Sequence, residues 1–131
     1  MTVNSFGSIS LEPPLVTVTM NQDTRTCLLV QQSNIFAVTV LSAAQQPLAE
    51  RFSGRVDPTT DRMAGLDTFR MVTGAPLIHG GLSFIDCRVV YQYAMPLSVL
   101  FIGEVLAAQL ASPGEDFIPL VYVNRIFSSL P

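Results

Sequence analysis

The chain of 131 residues reads as a mainly β fold, a Greek-key barrel with two or three short helices. Five or six runs rich in β-branched and apolar residues are separated by Pro, Gly and Asn breakers. One of them, Leu82 to Tyr93, alternates with the period of two that a half-buried strand shows. Helical patterns follow only the second and third runs, whereas an alternating βαβ sheet needs one after nearly every strand. The length suits a single domain over residues 1–131 and is too short for two independent cores.

Thr2 to Ser10 combines β-branched residues, serines and Phe6 in a first strand, which Pro13-Pro14 stops before the second strand, Leu15 to Met20. Asn21-Gln22-Asp23-Thr24 offers side-chain oxygens to the free amides of a helix start, and that helix runs to about Gln32 before Ser33-Asn34 closes it. Phe36 to Leu41 is a short apolar strand. Ser42 to Gly54 reads as a helix with Pro47 in its first turn, Leu48 and Phe52 one turn apart, and Gly54 as its stop. A further helical turn is expected over Pro58 to Ala64, capped by Asp57. Within Leu82 to Tyr93 the alternation sets Ile85, Cys87, Val89, Tyr91 and Tyr93 on a core face and Asp86, Arg88 and Gln92 on the other. Met95-Pro96-Leu97 turns the chain into Ser98 to Leu110, where Gly103 marks a bend or a close backbone approach. Ser112-Pro113-Gly114 then breaks the chain before a final strand, Leu120 to Phe127.

Composition narrows the function. Hydrophobic residues make up 49% and charged residues 13%, so the apolar excess goes either to a subunit interface or to an ordinary core. All seven basic residues are arginines and the formal charge is −3, which leaves no footprint for nucleic acid or anionic lipid. The absence of lysine excludes Schiff-base chemistry. Met1-Thr2-Val3-Asn4 lacks a basic leader, and Glu104 interrupts the apolar run Val99 to Ala111, so neither a signal peptide nor a membrane span is expected. Cys27 and Cys87 sit in apolar contexts and read as reduced packing residues of a cytoplasmic protein. With His79 as the single histidine, no metal-ligand spacing exists and no cysteine has an adjacent base. No G-x-G-x-x-G turn follows a strand either, so a nicotinamide nucleotide is not held in a Rossmann crevice.

The stretch from Thr2-Val3-Asn4-Ser5-Phe6 through Ser8-Ile9-Ser10-Leu11-Glu12-Pro13-Pro14-Leu15-Val16 resembles the signature of the flavin reductase-like, FMN-binding split barrels, which include the reductase components of two-component monooxygenases. Phe36 to Leu41, Glu50 to Gly54, Gly74 to Ile78, Asp86 to Val90 and Leu100 to Val105 follow in the order and at the approximate spacing of that family. The resemblance implies a split β-barrel that forms a homodimer and binds FMN or FAD. It places Thr2, Val3, Asn4 and Ser5 along the isoalloxazine ring, Ser8 and Ser10 close to it, and Thr24, Arg25 and Thr26 at the phosphate. That division suits the chemistry, since the ring needs amide and hydroxyl donors while a phosphate wants helix-start amides, hydroxyls and a cation. Polar strand residues that merely satisfy backbone groups, and a solvated Arg25, are the competing structural readings of the same positions.

The implied activity is reduction of FMN or FAD by NADH or NADPH, with hydride passing to flavin N5, and supply of reduced flavin to a flavin-dependent monooxygenase. Arg51, His79 and Arg125 are the weaker candidates for nicotinamide nucleotide contacts. The alternative is a flavin-binding protein without turnover. Two departures bear on it. Family members usually carry about one more helix and one or two strands upstream, which implies a shortened N-terminus. Where the family often has a Gly-Asp-His run before its long strand, this chain reads Met95-Pro96-Leu97-Ser98, and Phe127 stands in place of a usual tyrosine.

Overall fold

A computed structural model describes residues 1–54, 59–112 and 118–131. Five strands form one antiparallel sheet: β1 (Gly7–Leu11), β2 (Pro14–Asn21), β3 (Ile35–Val40), β6 (Ser83–Ala94) and β7 (Ser98–Leu110), in the order β1-β2-β7-β6-β3. The long β6–β7 hairpin is the spine. β2 pairs with Ser98 to Glu104 of β7, and β3 pairs with Ser83 to Arg88 of β6, so the two flanking strands occupy different halves of the hairpin. Bulges at Asp86/Cys87 and Val89/Tyr91 lie where the halves meet and add the twist that curls the sheet. The outcome is the expected mainly β architecture, open between its edge strands β1 and β3.

Helix α1 (Arg25–Ser33) follows β2 and packs across the sheet. Its Cys27 and Val30, three residues apart on one face, join Val16, Val18 and Met20 of β2, Phe36 of β3, Cys87 of β6 and Val99 and Phe101 of β7 in the core. Thr24 is the N-cap, its hydroxyl accepting the Cys27 N–H at 3.2 Å, and Asn34 ends the helix in the left-handed region at φ 59°. Helix α2 (Gln46–Arg51) follows a single 3-10 turn, Ala43–Gln45, and Gly54 stops the segment at φ +83°.

Gly103 is a close approach. A Cβ placed there would lie 2.6 Å from Phe36 Cζ and 3.0 Å from Cys87 Cβ.

Several expectations need correction. The first strand begins at Gly7 rather than Thr2, because Ser5 replaces the ladder with its side chain: Oγ accepts the Thr19 N–H at 3.1 Å and donates to the Thr19 carbonyl at 2.8 Å. Ile85, Cys87 and Val89 face the core as the alternation of β6 expects, but Asp86 on the opposite face is fully buried too, engaged by Thr73, and the extra residue Val90 at the Val89/Tyr91 bulge leaves Tyr91 and Tyr93 exposed. The helical turn expected over Pro58 to Ala64 has Asp57 and Pro58 outside the described residues, and Thr59 to Ala64 form turns. The last strand is a hairpin, β8 (Leu120–Val123) with β9 (Ile126–Ser129), because Asn124 and Arg125 take φ 51° and 65° and reverse the chain. Two short strands not expected, β4 (Thr68–Phe69) and β5 (Leu77–Ile78), pair beside the base of β6. No helix among the described residues is long and apolar enough to cross a membrane.

The core thiols carry a pH signature. Burial pushes Cys87 up to about 12, and the adjacent Asp86 carboxylate acts in the same direction; burial also raises Cys27. Unfolding returns Cys87 to its ordinary 9.0, so between those values the folded chain holds a proton that the unfolded chain has lost. Stability from this group is therefore complete below the lower value. It falls above that value by up to about 1.4 kcal/mol per pH unit. Urea midpoints followed from neutral to alkaline pH should show a steeper decline for the native chain than for Cys87→Ala; equal slopes would clear the thiol of this role.

Candidate functional site

The N-terminal segment is fastened at two points. Thr2 donates twice to the end of α2, from its N–H to the Phe52 carbonyl at 2.9 Å and from its hydroxyl to the Ala49 carbonyl at 2.6 Å. Ser5 is clipped to Thr19 of β2 as described above. Val3 and Phe6 turn inward and pack against the core, which leaves Asn4 exposed. Among the described residues, Val3 to Phe6 make no backbone hydrogen bond and the Asn4 amide has no partner. Unpaired amides and carbonyls held at both ends form a ready hydrogen-bonding edge for a flat polar ring.

The other group lies close by. The Thr24 hydroxyl donates to the Asn21 carbonyl at 2.7 Å, two residues along β2 from the Ser5 clip at Thr19. At a strand rise of about 3.3 Å per residue, the two anchors are about 7 Å apart. The amides of Arg25 and Thr26, in the first turn of α1, have no partner among the described residues, and Arg25 is exposed without an ion pair there. The tip of the β6–β7 hairpin borders this end, since Gln22 donates from its N–H to the Leu97 carbonyl at 3.1 Å and from Nε2 to the Pro96 carbonyl at 2.9 Å. Sequence reasoning missed this neighbour, because only the β2–β7 register reveals it.

Not all candidates converge. Ser8 and Ser10 pair with Val16 and Leu15, toward the opposite end of β2, and the Ser10 hydroxyl donates to the Pro13 carbonyl at 2.6 Å. The Arg51 guanidinium donates to the Ala64 and Asp61 carbonyls at 2.8 and 3.4 Å, which engages it in tying down a loop. Arg125 sits on the β8–β9 turn. His79 follows β5; its ring stacks at 4.6 Å on Phe69, and its Nε2 lies 3.9 Å from Asp67 Oδ1. The cysteines are free, buried and held neutral, so neither is an activated nucleophile. No group of three or more potential metal ligands occurs among the described residues.

The family model described as flavin reductase like domain matches residues 1–131. The chain belongs to this flavin reductase-like family. The FMN reductase (NADH) RutF 2 of Methylorubrum extorquens is 33% identical over 131 residues, covering 100% of this chain and 74% of that protein. A nitrilotriacetate monooxygenase component B homologue from Mycobacterium thermoresistibile superposes with a TM-score of 0.88 at 29% identity, over 97% of this chain and 69% of the other. The Streptomyces globisporus NADH:FAD oxidoreductase in complex with NAD and FAD fragments gives 0.85 at 29% identity, over 98% and 74%. The fold of this flavin reductase-like chain is thus that of the split barrels its sequence resembles.

Proposed function

We propose that the chain is an NAD(P)H:flavin oxidoreductase that binds FMN or FAD, accepts hydride from NADH or NADPH at flavin N5, and hands reduced flavin to a partner monooxygenase. The observation that carries this is the pairing of an unsatisfied backbone edge, Val3 to Phe6, with a helix start bearing Thr24, Arg25 and Thr26, their anchors two residues apart on β2. That separation is one a ribityl chain bridges. The edge orients the ring through Asn4 and the free amides, with Thr2 and Ser5 holding the edge in place. The two free amides of α1, the Thr26 hydroxyl and the Arg25 charge hold the phosphate. Ser8 and Ser10 lie on β1, opposite Val16 and Leu15 of β2, and Ser10 ties down the β1–β2 turn at Pro13. When bound, the flavin supplies the hydride-accepting chemistry; the chain contributes position and electrostatics. For the nicotinamide nucleotide, Arg125 and His79 keep solvent-facing donors, while Arg51 acts through the loop it holds.

The deciding experiment is anaerobic mixing of the protein and FMN or FAD with NADH or NADPH, following the flavin absorbance band. Protein-dependent bleaching is the expected result. A flavin that binds and stays oxidised would leave a binding protein without turnover. Arg25→Ala should weaken FMN by roughly ten- to a hundredfold, the scale of a charge-assisted phosphate contact, and leave riboflavin binding unchanged. Equal losses for both ligands would place Arg25 away from the phosphate.

The ring edge is open in one protomer, and a second copy supplies its cover. Outward rows run across the sheet, Thr17-Ile102-Tyr91 and Thr19-Leu100-Tyr93, and the tyrosines are 58% and 53% exposed. Such a contiguous aromatic and aliphatic face suits an isologous interface. Tyr91→Glu with Tyr93→Glu should convert the dimer to a monomer in sedimentation equilibrium. A cytoplasmic home fits the two free thiols.

A further inference from the structure

A cavity of about 240 Å³ lies at the Leu110 end of β7, lined by Phe69, His79, Gly80, Phe84, Gln109 and neighbouring β7 residues. Gln109 pairs with Phe84 across the hairpin, whereas the flavin edge is anchored at Thr19, opposite Leu100. Nine residues of β7 separate Leu100 from Gln109, about 30 Å at a strand rise of about 3.3 Å per residue. No flavin candidate lines the cavity, and a ring seated in it is far outside the reach of hydride exchange with flavin N5.

One wall is a stack of rings. Phe69 lies 4.6 Å from the His79 ring and 4.8 Å from Phe84, the latter edge-on. The β4–β5 pairing fixes Phe69, and the His79 N–H donates to the Asp67 carbonyl at 3.0 Å. Gln45 donates from Nε2 to the His79 carbonyl at 2.9 Å, while its Oε1 accepts the Ser42 N–H at 3.1 Å. The opposite wall is the end of β7, fixed by the Ala111 N–H, which donates to the Leu82 carbonyl at 2.9 Å. There the Gln109 amide makes no hydrogen bond among the described residues. No arginine among the described residues lines the cavity, and the Asp67 carboxylate stands beside it, 3.9 Å from His79 Nε2.

We infer that this cavity binds an uncharged single-ring aromatic compound carrying a hydroxyl group, a simple phenol. Its volume is below the roughly 300–1,000 Å³ of sites that enclose a drug-sized ligand, so it suits one ring. Aromatic rings pack on one another offset or edge-on at about 4.5–7 Å, and a ring set against Phe69 and His79 continues the series that already runs from Phe84. The Gln109 amide offers a carbonyl beside an NH₂, so one hydroxyl can donate to the first and accept from the second. A ring bearing a carboxylate finds no cation and meets Asp67, which sets the preference for a neutral ligand. The site stands apart from the flavin reductase reading, because none of its contacts involves flavin.

His79 is the single histidine of the chain, so its Cε1 proton gives one isolated NMR signal at the cavity wall. Titration of the full chain with phenol should shift that signal saturably. Cyclohexanol keeps the hydroxyl but has no π-face, and it should bind roughly two- to tenfold more weakly than phenol. Benzoate should also bind more weakly than phenol. Gln109→Leu, at an exposed position, should weaken phenol roughly fivefold and leave toluene unchanged, which separates a lost hydrogen bond from a disturbed wall. Saturating FMN should leave the phenol midpoint where it was. The assignment is overturned by an absent or unsaturable shift, or by a cyclohexanol or benzoate affinity equal to that of phenol. It is equally overturned by a Gln109→Leu effect that fails to distinguish phenol from toluene, or by displacement of phenol by FMN. Failure of the reductase reading would appear instead as unbleached flavin, with the phenol titration unaffected.

Discussion

Gly103→Val is expected to leave the chain largely unfolded at ordinary temperatures. Gly103 lies inside the curled sheet at the junction of its two halves, between the Val16 and Val89 positions of the neighbouring strands. The constraint is space, since a first side-chain carbon would meet Phe36 Cζ at 2.6 Å, Phe36 Cε1 at 2.8 Å and Cys87 Cβ at 3.0 Å. Phe36 is 5% exposed and Cys87 is 0% exposed, so neither can swing into solvent. Overpacking by a methylene or two costs about 1–3 kcal/mol, and three added carbons against a pinned ring exceed that, in a fold whose whole stability is about 5–15 kcal/mol. Gly103→Ala should show the smaller effect, a lowered urea midpoint with the same slope. Phe36→Leu in that background should recover part of the loss, the non-additivity expected of residues in contact. An alanine variant as stable as the native chain would mean that the ring can move aside.

Much of this was legible before the structure. The Thr24 cap, the Asn34 stop and the Gly103 approach follow from local chemistry that tertiary context did not override: a short hydroxyl at a helix start, a left-handed residue at its end, and a strand glycine where backbone and ring meet. Ile85, Cys87 and Val89 keep the expected core face, but an alternation rule carries no sign that Thr73 covers Asp86 on the other face or that the extra residue Val90 turns Tyr91 and Tyr93 outward. The β8–β9 turn was missed because Asn-Arg lacks the glycine that usually marks a tight reversal. Of the proposed site, Thr24, Arg25 and Thr26 came from the family resemblance, and the structure adds that they open α1 with two amides unpartnered among the described residues. At the N-terminal segment the hydroxyls of Thr2 and Ser5 are engaged by α2 and β2, and only the hydrogen-bond pattern reveals that the free groups there are the backbone and Asn4.

Asp86→Ala should destabilise the protein by about 3 kcal/mol and loosen the segment from Phe69 to His79, while leaving FMN affinity nearly unchanged. The carboxylate is 0% exposed and both oxygens are engaged by Thr73, one by its N–H at 2.7 Å and one by its hydroxyl. Thr73 in turn accepts the Ala75 N–H at 3.1 Å, so one buried side chain holds the turn before β5. Truncation strands an N–H and a hydroxyl in a dry setting, at about 1–3 kcal/mol for each unsatisfied group. Asp86→Asn is the milder change. Its single carbonyl oxygen can still accept from the Thr73 N–H, but its NH₂ faces a hydroxyl that must give up donating. Hydrogen exchange separates this from a general loss of stability: amides from residues 69 to 79 should open well before those of β2 and α1, because the turn depends on Asp86 and the Thr24 cap does not. If flavin binding failed together with that local opening, the base of the hairpin and the ring edge would be one coupled site, joined through Gln45, α2 and Thr2, and the division between them drawn from the contacts would be wrong.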